Sequence, residues 1–235
     1  MSVDDLPAAG NPAALRSPVP GVELWWCPLE RSAAEIERLS GLLSTAELAR
    51  AARFGTDALR ARYVAGRATL RQLLGQRLAM PPQDVPIRRG ARGRPELEFA
   101  DAPDFNVTHT RGVGLIAIGD VPRIGVDIEH FDRSVAADKL ARKFLTPREA
   151  ETLAPLSPDD RRRAFLRHWT CKEAMSKATG DGLAAPFGKI EIALGTELVV
   201  VDGPPPYSPG GWRLEAITVP SGFLATIAVW LAAGR

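Results

Sequence analysis

Cysteine is scarce in this chain of 235 residues: Cys27 and Cys171 are the two present, far apart in sequence. Two such residues make no disulfide framework and exclude a zinc–cysteine site, so a reducing compartment, the cytoplasm, is the expected setting. Met1–Pro20 lacks a basic segment followed by an apolar core, so no signal peptide is expected. No apolar run approaches the ~18 residues of a membrane span, and no membrane partner is expected. A surplus of one charge is also missing, since 30 Lys and Arg stand against 28 Asp and Glu. Bulk nucleic-acid binding calls for a larger surplus, so no nucleic acid is expected. The chain has no G-x-x-x-x-G-K-[ST] phosphate loop, no H-E-x-x-H and no G-x-S-x-G nucleophile elbow. Gly112-Val113-Gly114 begins like a dinucleotide loop but has no third glycine in place.

What is present is ordinary soluble-protein composition, 45% apolar and 25% charged, which does not point to disorder. The length allows one large domain or two small ones with a real core. The cations are mostly Arg and cluster between Arg50 and Arg94, as a phosphate-rich ligand or an acidic partner would require. Most Arg on helices are solvated surface, so two or three of Arg50, Arg53, Arg62, Arg67 and Arg94 are expected to matter.

Arg123–Phe131 reads R-I-G-V-D-I-E-H-F, with Ile124, Val126 and Ile128 alternating against Gly125, Asp127 and Glu129. Period two marks a strand with one buried face. Asp127 and Glu129 then share the opposite face, their Cα atoms roughly 6–7 Å apart. Adjacent carboxylates repel unless a cation lies between them, and a hard divalent ion is the common answer; a solvent-facing strand edge is the plainer alternative. Phe165, Trp169, Glu173 and Lys177 fall on one i, i+4 helical stripe, which carries an acid and a base to the edge of the core. Alone, that stripe is equally a simple Glu–Lys helix pair. F-N-V-T-H-T at 105–110 sets His109 after a short strand and beside two hydroxyls, where it is either structural or, with Thr108, a phosphate grip.

The Ala- and Pro-rich residues 1–20 read as a flexible lead-in, 21–120 as a first lobe and 121–235 as a second, with the boundary near Gly119–Pro122. In the first lobe a strand is expected at Val22–Trp26, helices at Ser32–Leu43, Ser44–Phe54 and Leu59–Met80, and strands at Phe105–Thr108 and Val113–Ile118. S-T-A-E at 44–47 is a capping box. The second lobe repeats the plan: the Asp127/Glu129 strand, a helix starting L-T-P-R-E at 145–149, a long helix over 159–179 and four closing strands. An offset of 105 lays Arg62, Arg67 and Gly75 over Arg167, Lys172 and Gly180, and sets Ala68 opposite Glu173. The expectation is an α+β fold, a pseudo-two-fold tandem duplication of one α+β lobe, with the active site in the inter-lobe cleft.

G-V-D-I-E at 125–129, W-T-C-K-E-A-M-S-K at 169–177 and F-N-V-T-H-T at 105–110, in this order, resemble the 4′-phosphopantetheinyl transferases, and among them the monomeric surfactin-synthetase-activator type. G-R-P-E-L at 93–97 looks like that family's G-K-P-x-L, and R-Y-V-A-G-R at 62–67 like its first-half helix; the likeness runs from about residue 40 to about residue 190. It implies that the phosphopantetheine arm of coenzyme A moves to a serine of an apo acyl or peptidyl carrier protein, releasing 3′,5′-ADP. By position it makes Asp127, Glu129 and Glu173 ligands of Mg²⁺, or of Mn²⁺ in its place. Asp127, Glu173 and Lys177 become the catalytic set, with Glu173 or a metal-bound water accepting the serine proton. His109, Thr108 and Arg94, helped by Arg50, Arg62 or Arg67, become the grip on coenzyme A and its 3′-phosphate. The first lobe would thus bind coenzyme A and the second hold metal and catalytic residues. Thr108 and Thr110 stand where serines are common, Glu47 where some relatives are basic, and Asp181 turns the frequent G-K-G-L into G-D-G-L. One rival is a non-catalytic nucleotide- or carrier-binding module on the same fold; another is an Arg-rich nucleic-acid binder with steeply salt-dependent retention.

Overall fold

The computed structural model describes Leu6 and residues 10–90, 92–131 and 137–232. An edge strand β1 (Ala13–Leu15) pairs with β2 (Val22–Pro28), and Leu15 and Val19 are buried, so the expected loose lead-in does not reach this far. Then come α1 (Ala33–Ser40), α2 (Thr45–Ala51) and α3 (Asp57–Leu78), the hairpin β3 (Ile87–Arg89) and β4 (Pro95–Leu97), and β5 (Asp104–Thr110) with β6 (Val113–Gly119). The second half runs β7 (Ile124–His130), α4 (Ala137–Phe144), α5 (Pro147–Leu153), α6 (Pro158–Thr179), β8 (Glu191–Leu194), β9 (Leu198–Asp202), β10 (Trp212–Ile217) and β11 (Phe223–Trp230).

Two antiparallel sheets result, ordered β1-β2-β6-β5 and β7-β11-β10-β9-β8, with β3-β4 apart. β2 of the first lobe and β7 of the second each lie beside their lobe's last strand, and that beside the penultimate one, which is the signature of duplication. The sheets face each other: Leu24, Trp26 and Leu115 of one meet Val126, Ile128 and Ile227 of the other. The long helices cover the outer faces. Leu70, Leu73 and Leu74 of α3 pack on Phe105, Ile116 and Ile118, and Cys171, Ala174 and Met175 of α6 pack on Ile192, Leu214 and Ala228.

The repeat holds, but its register is an offset of 101–102 rather than 105. Both long helices have 22 residues, and their C-caps Ala79 and Gly180 are both left-handed, at φ 52° and 83°. Each lobe carries the same buried lock. Ser44 and Glu47 form one capping box, Thr146 and Glu149 the other. Glu47 takes Arg71 Nε at 2.7 Å and pairs with Arg67; Glu149 takes Lys172 Nζ at 2.5 Å beside His168. The spare donors of Arg71 and Lys172 go to loop carbonyls, including Val85 O and Phe187 O. Burial alone would push both carboxyls up, yet Arg71 and Arg67 hold Glu47, and the hydrogen-bonding His168 with Lys172 holds Glu149, below the usual glutamate range. An error of one helical turn keeps the apolar stripe in phase, which is why the sequence tolerated it. With the register corrected, Gln72 and Gln76, not Ala68, stand opposite Glu173 and Lys177.

Candidate active site at the lobe seam

β7 uses its period of two as expected: Val126 and Ile128 enter the inter-sheet core, while Gly125, Asp127 and Glu129 face α6. The helix approaches so closely that a Cβ on Gly125 would stand 1.8 Å from Ala174 O. Trp169 Nε1 donates to Glu129 Oε1 at 3.2 Å, and two turns on Lys177 Nζ donates to Asp127 Oδ1 at 2.7 Å. Glu173 lies one turn from each on the same stripe and so faces the strand between the two carboxylates. Asp127 and Glu129 are 5% and 7% exposed.

The first lobe meets this strand through alternate side chains of β5. Asp104 Oδ2 accepts from Ile124 N at 2.6 Å, Asn106 Oδ1 from Val126 N at 3.1 Å, and Thr108 Oγ1 donates to Asp127 Oδ1 at 3.0 Å. Lys177 Nζ also donates to Thr108 Oγ1 at 2.9 Å and to Val126 O at 3.1 Å. Asp127 Oδ2 is buried with no hydrogen-bond partner among the described residues. Among those residues no three His, Cys, Asp or Glu side chains close on one point as they stand. Oδ1 of Asp127 is turned to Lys177 and Thr108, and Glu129 to Trp169. The donor set still suits a hard divalent cation: it is carboxylate oxygen on facing elements, with one buried oxygen unmatched.

A family model described as the 4′-phosphopantetheinyl transferase superfamily matches residues 123–204, the stretch that carries β7 and α6. The 4′-phosphopantetheinyl transferase HetI of Nostoc sp. is 40% identical over 176 residues, 74% of each chain. The chain belongs to the 4′-phosphopantetheinyl transferase superfamily. A putative 4′-phosphopantetheinyl transferase of Synechocystis sp. is 34% identical over 174 residues, 73% of this chain and 70% of the relative. The 4′-phosphopantetheinyl transferase psf-1 of Bacillus pumilus is 28% identical over 151 residues, 64% and 63% of the two chains. The chain is accordingly an enzyme, a transferase of the phosphopantetheinyl group with coenzyme A as its co-substrate.

Beside the seam of this transferase, a cavity of ≈ 310 Å³ opens in the first lobe between α3 and the β5–β6 hairpin. Phe54, Tyr63, Leu70 and Pro95 give it apolar walls, and Arg50, Arg62, Arg67, Arg111 and His109 give it cations or donors. The guanidinium of Arg50 lies 5.6 Å from the Tyr63 ring centre, and Arg62 Nε donates to Glu30 Oε1 at 2.8 Å. His109 is exposed at the rim but crowded by protein, and this desolvation, then the charge of Lys177, holds its imidazole below the usual histidine range. Thr108 and His109 are thus the hinge between cavity and seam.

Of the expected coenzyme A contacts, Arg50, Arg62, Arg67, Thr108 and His109 line this cavity and Arg94 does not. Arg67 is also paired to Glu47. Arg94 is a clasp across the seam: Nε donates to Lys177 O at 3.0 Å, Nη1 to Asp104 Oδ1 at 2.9 Å, and Nη2 to Asp104 Oδ2 and Ile124 O, both at 2.7 Å. Its side chain is 5% exposed, so no donor is left for a phosphate. Thr108 lines the cavity, while its hydroxyl is bonded to Asp127 and Lys177. Sequence reasoning missed Trp169 as the partner of Glu129, Arg71 as a buried lock and Arg111 at the cavity. Their signals, an indole one turn before Glu173 and arginines at helix and hairpin positions, are generic without a fold.

Proposed function

We propose that the chain is a Mg²⁺-dependent, monomeric holo-carrier-protein synthase of the cytoplasm, its active site lying where the two lobes meet. The observation that carries this is Asp127, with one oxygen engaged by Lys177 and Thr108 and the other buried and unmatched, opposite the helix stripe that bears Glu173. Asp127, Glu129 and Glu173 would hold the metal. When bound, the metal neutralises charge on the pyrophosphate of coenzyme A and on the leaving phosphate.

The chain's own residues do the rest. The first-lobe cavity takes the adenosine end of coenzyme A, with His109, Arg50 and Arg62 around the 3′-phosphate and the apolar walls around the base. The serine oxygen of the carrier bonds to the phosphorus that bears pantetheine, and the bond from that phosphorus to the bridging oxygen breaks. The bridging oxygen leaves on 3′,5′-ADP. Glu173 takes the serine proton at a carboxylate oxygen. Lys177 adds positive charge beside the reacting phosphate. Both halves of the site come from one polypeptide, which supports a monomer. Burial raises the thiols of Cys27 and Cys171 to about 12 and about 11, so neither is reactive, in keeping with a reducing compartment. No helix among the described residues is long and apolar enough to cross a membrane.

Mass spectrometry of apo fatty-acid, polyketide and non-ribosomal peptide carriers, incubated with the chain, coenzyme A and Mg²⁺, tests the proposal. The expected result is one phosphopantetheine arm added to at least one carrier and none when EDTA is present. Transfer unaffected by EDTA refutes the metal; no transfer to any carrier refutes the activity.

A further inference from the structure

Resting on the reading above, we infer that Thr108 is a positioning residue: it orients the acid and base of the opposite lobe and does not hold the 3′-phosphate of coenzyme A. A threonine hydroxyl has one proton to give and two lone pairs to receive. Aspartate only accepts and a lysine ammonium only donates, so the hydrogen-bond directions are forced. The Thr108 proton goes to Asp127 Oδ1 at 3.0 Å, and Lys177 Nζ donates into Thr108 Oγ1 at 2.9 Å. Lys177 Nζ and Asp127 Oδ1, 2.7 Å apart, close the triangle. A phosphate is bound by donors, and the single donor of Thr108 is already committed. The residue is 5% exposed, so water does not compete for that proton.

The triangle has a directional effect. It gives Asp127 Oδ1 two donors and leaves Oδ2 buried with none among the described residues. The carboxylate is thereby held with one oxygen toward the protein and the other available to a cation. It also fixes Lys177, whose third proton goes to Val126 O. Thr108 comes from β5 of the first lobe, whereas Asp127 and Lys177 belong to the second. It is the third rung of the row begun by Asp104 and Asn106, which bond the backbone N–H groups of Ile124 and Val126. The first two rungs fix where β7 runs; the third fixes how its carboxylate is turned.

The test uses Thr108→Val, which keeps the shape and removes the hydroxyl, with Thr108→Ala as a second deletion and Thr108→Ser as the rescue. Initial rates on an apo carrier are compared for coenzyme A and 3′-dephospho-coenzyme A. Mn²⁺ affinity is read without turnover, from loss of the free-ion electron paramagnetic resonance signal. Both deletions are expected to lower kcat about tenfold or more, equally for the two substrates, with KM for coenzyme A nearly unchanged. Mn²⁺ binding is expected to weaken severalfold, and Thr108→Ser to restore both quantities. A rise in KM for coenzyme A that is absent with the 3′-dephospho analogue, at unchanged Mn²⁺ affinity, overturns the inference and returns Thr108 to the phosphate. So do deletions that behave like the parent chain. Failure of the parent chain itself to transfer or to bind Mn²⁺ would instead strike the proposed function.

Discussion

Gly125→Ala is the most demanding perturbation of this architecture, because it changes no charged group and yet reaches the whole site. A Cβ on Gly125 would lie 1.8 Å from Ala174 O and 2.8 Å from both Ala174 C and Ala178 N. All three are backbone atoms of α6, so no side chain can swing aside and the helix itself must retreat. An ordinary van der Waals contact near 3.4 Å requires about 1.6 Å of added separation. Residue 174 lies between Trp169 and Lys177, whose 3.2 Å and 2.7 Å bonds to Glu129 and Asp127 tie the helix to the strand. A displacement of that size takes both beyond hydrogen-bonding range. A 1 Å misplacement of reacting groups costs about 10²-fold, so kcat should fall by about 10²-fold or more. Overpacking should cost about 1–3 kcal/mol, and the stranded buried carboxylate of Asp127 adds to that loss. Timed mass spectrometry of a carrier gives kcat, and urea unfolding gives the stability. A Gly125→Ala protein that turns over at the parent rate would show that α6 need not sit against β7 for catalysis.

Glu173→Gln should lower transfer by about 10²–10⁴-fold, the range for a lost general base, while calorimetry finds coenzyme A binding intact; turnover near that of the parent removes Glu173 from the chemistry. Arg94→Ala strands the carboxylate of Asp104 at the seam and should cost about 3–5 kcal/mol in urea unfolding. Its KM ratio between coenzyme A and the 3′-dephospho analogue should not change, and a selective loss for coenzyme A would return Arg94 to the phosphate site. Because the imidazole of His109 is held below its ordinary value, it is neutral at pH 7 in the free enzyme, and a bound phosphate dianion favours its protonation. Coenzyme A affinity should therefore tighten as pH falls through about 6.5, with the slope absent in His109→Gln and with the 3′-dephospho analogue. For the unliganded chain the sign reverses: the unfolded state binds that proton more readily, so His109 lowers stability as pH falls through the same range.

The alternation of β7 and the i, i+4 stripe of α6 were legible because each is a local period that burial on one face imposes directly on the sequence, and the capping box at Ser44–Glu47 because it is a short local motif. They made Asp127, Glu129, Glu173 and Lys177 the candidate site residues, and the order of elements declared the duplication. The roles of Arg94, Arg67 and Thr108 were not legible. Whether an arginine meets a ligand or a buried aspartate depends on what the other lobe brings within 3 Å, and residues tens of positions apart leave no periodic trace of that. Arg94 is spent on Asp104 and the backbone of β7 and α6, Arg67 is shared between Glu47 and the cavity, and the hydroxyl of Thr108 is spent on Asp127. The repeat offset failed for a related reason: the helical period returns every turn, so only the partners of Glu47 and Glu149 fix the register. The sequence by itself determined the kind of chemistry, since side-chain types and their spacing on one element are covalent facts. Tertiary structure alone decided which cations remain for coenzyme A, because hydrogen-bond donors are finite and the packing of the two lobes had already allotted most of them.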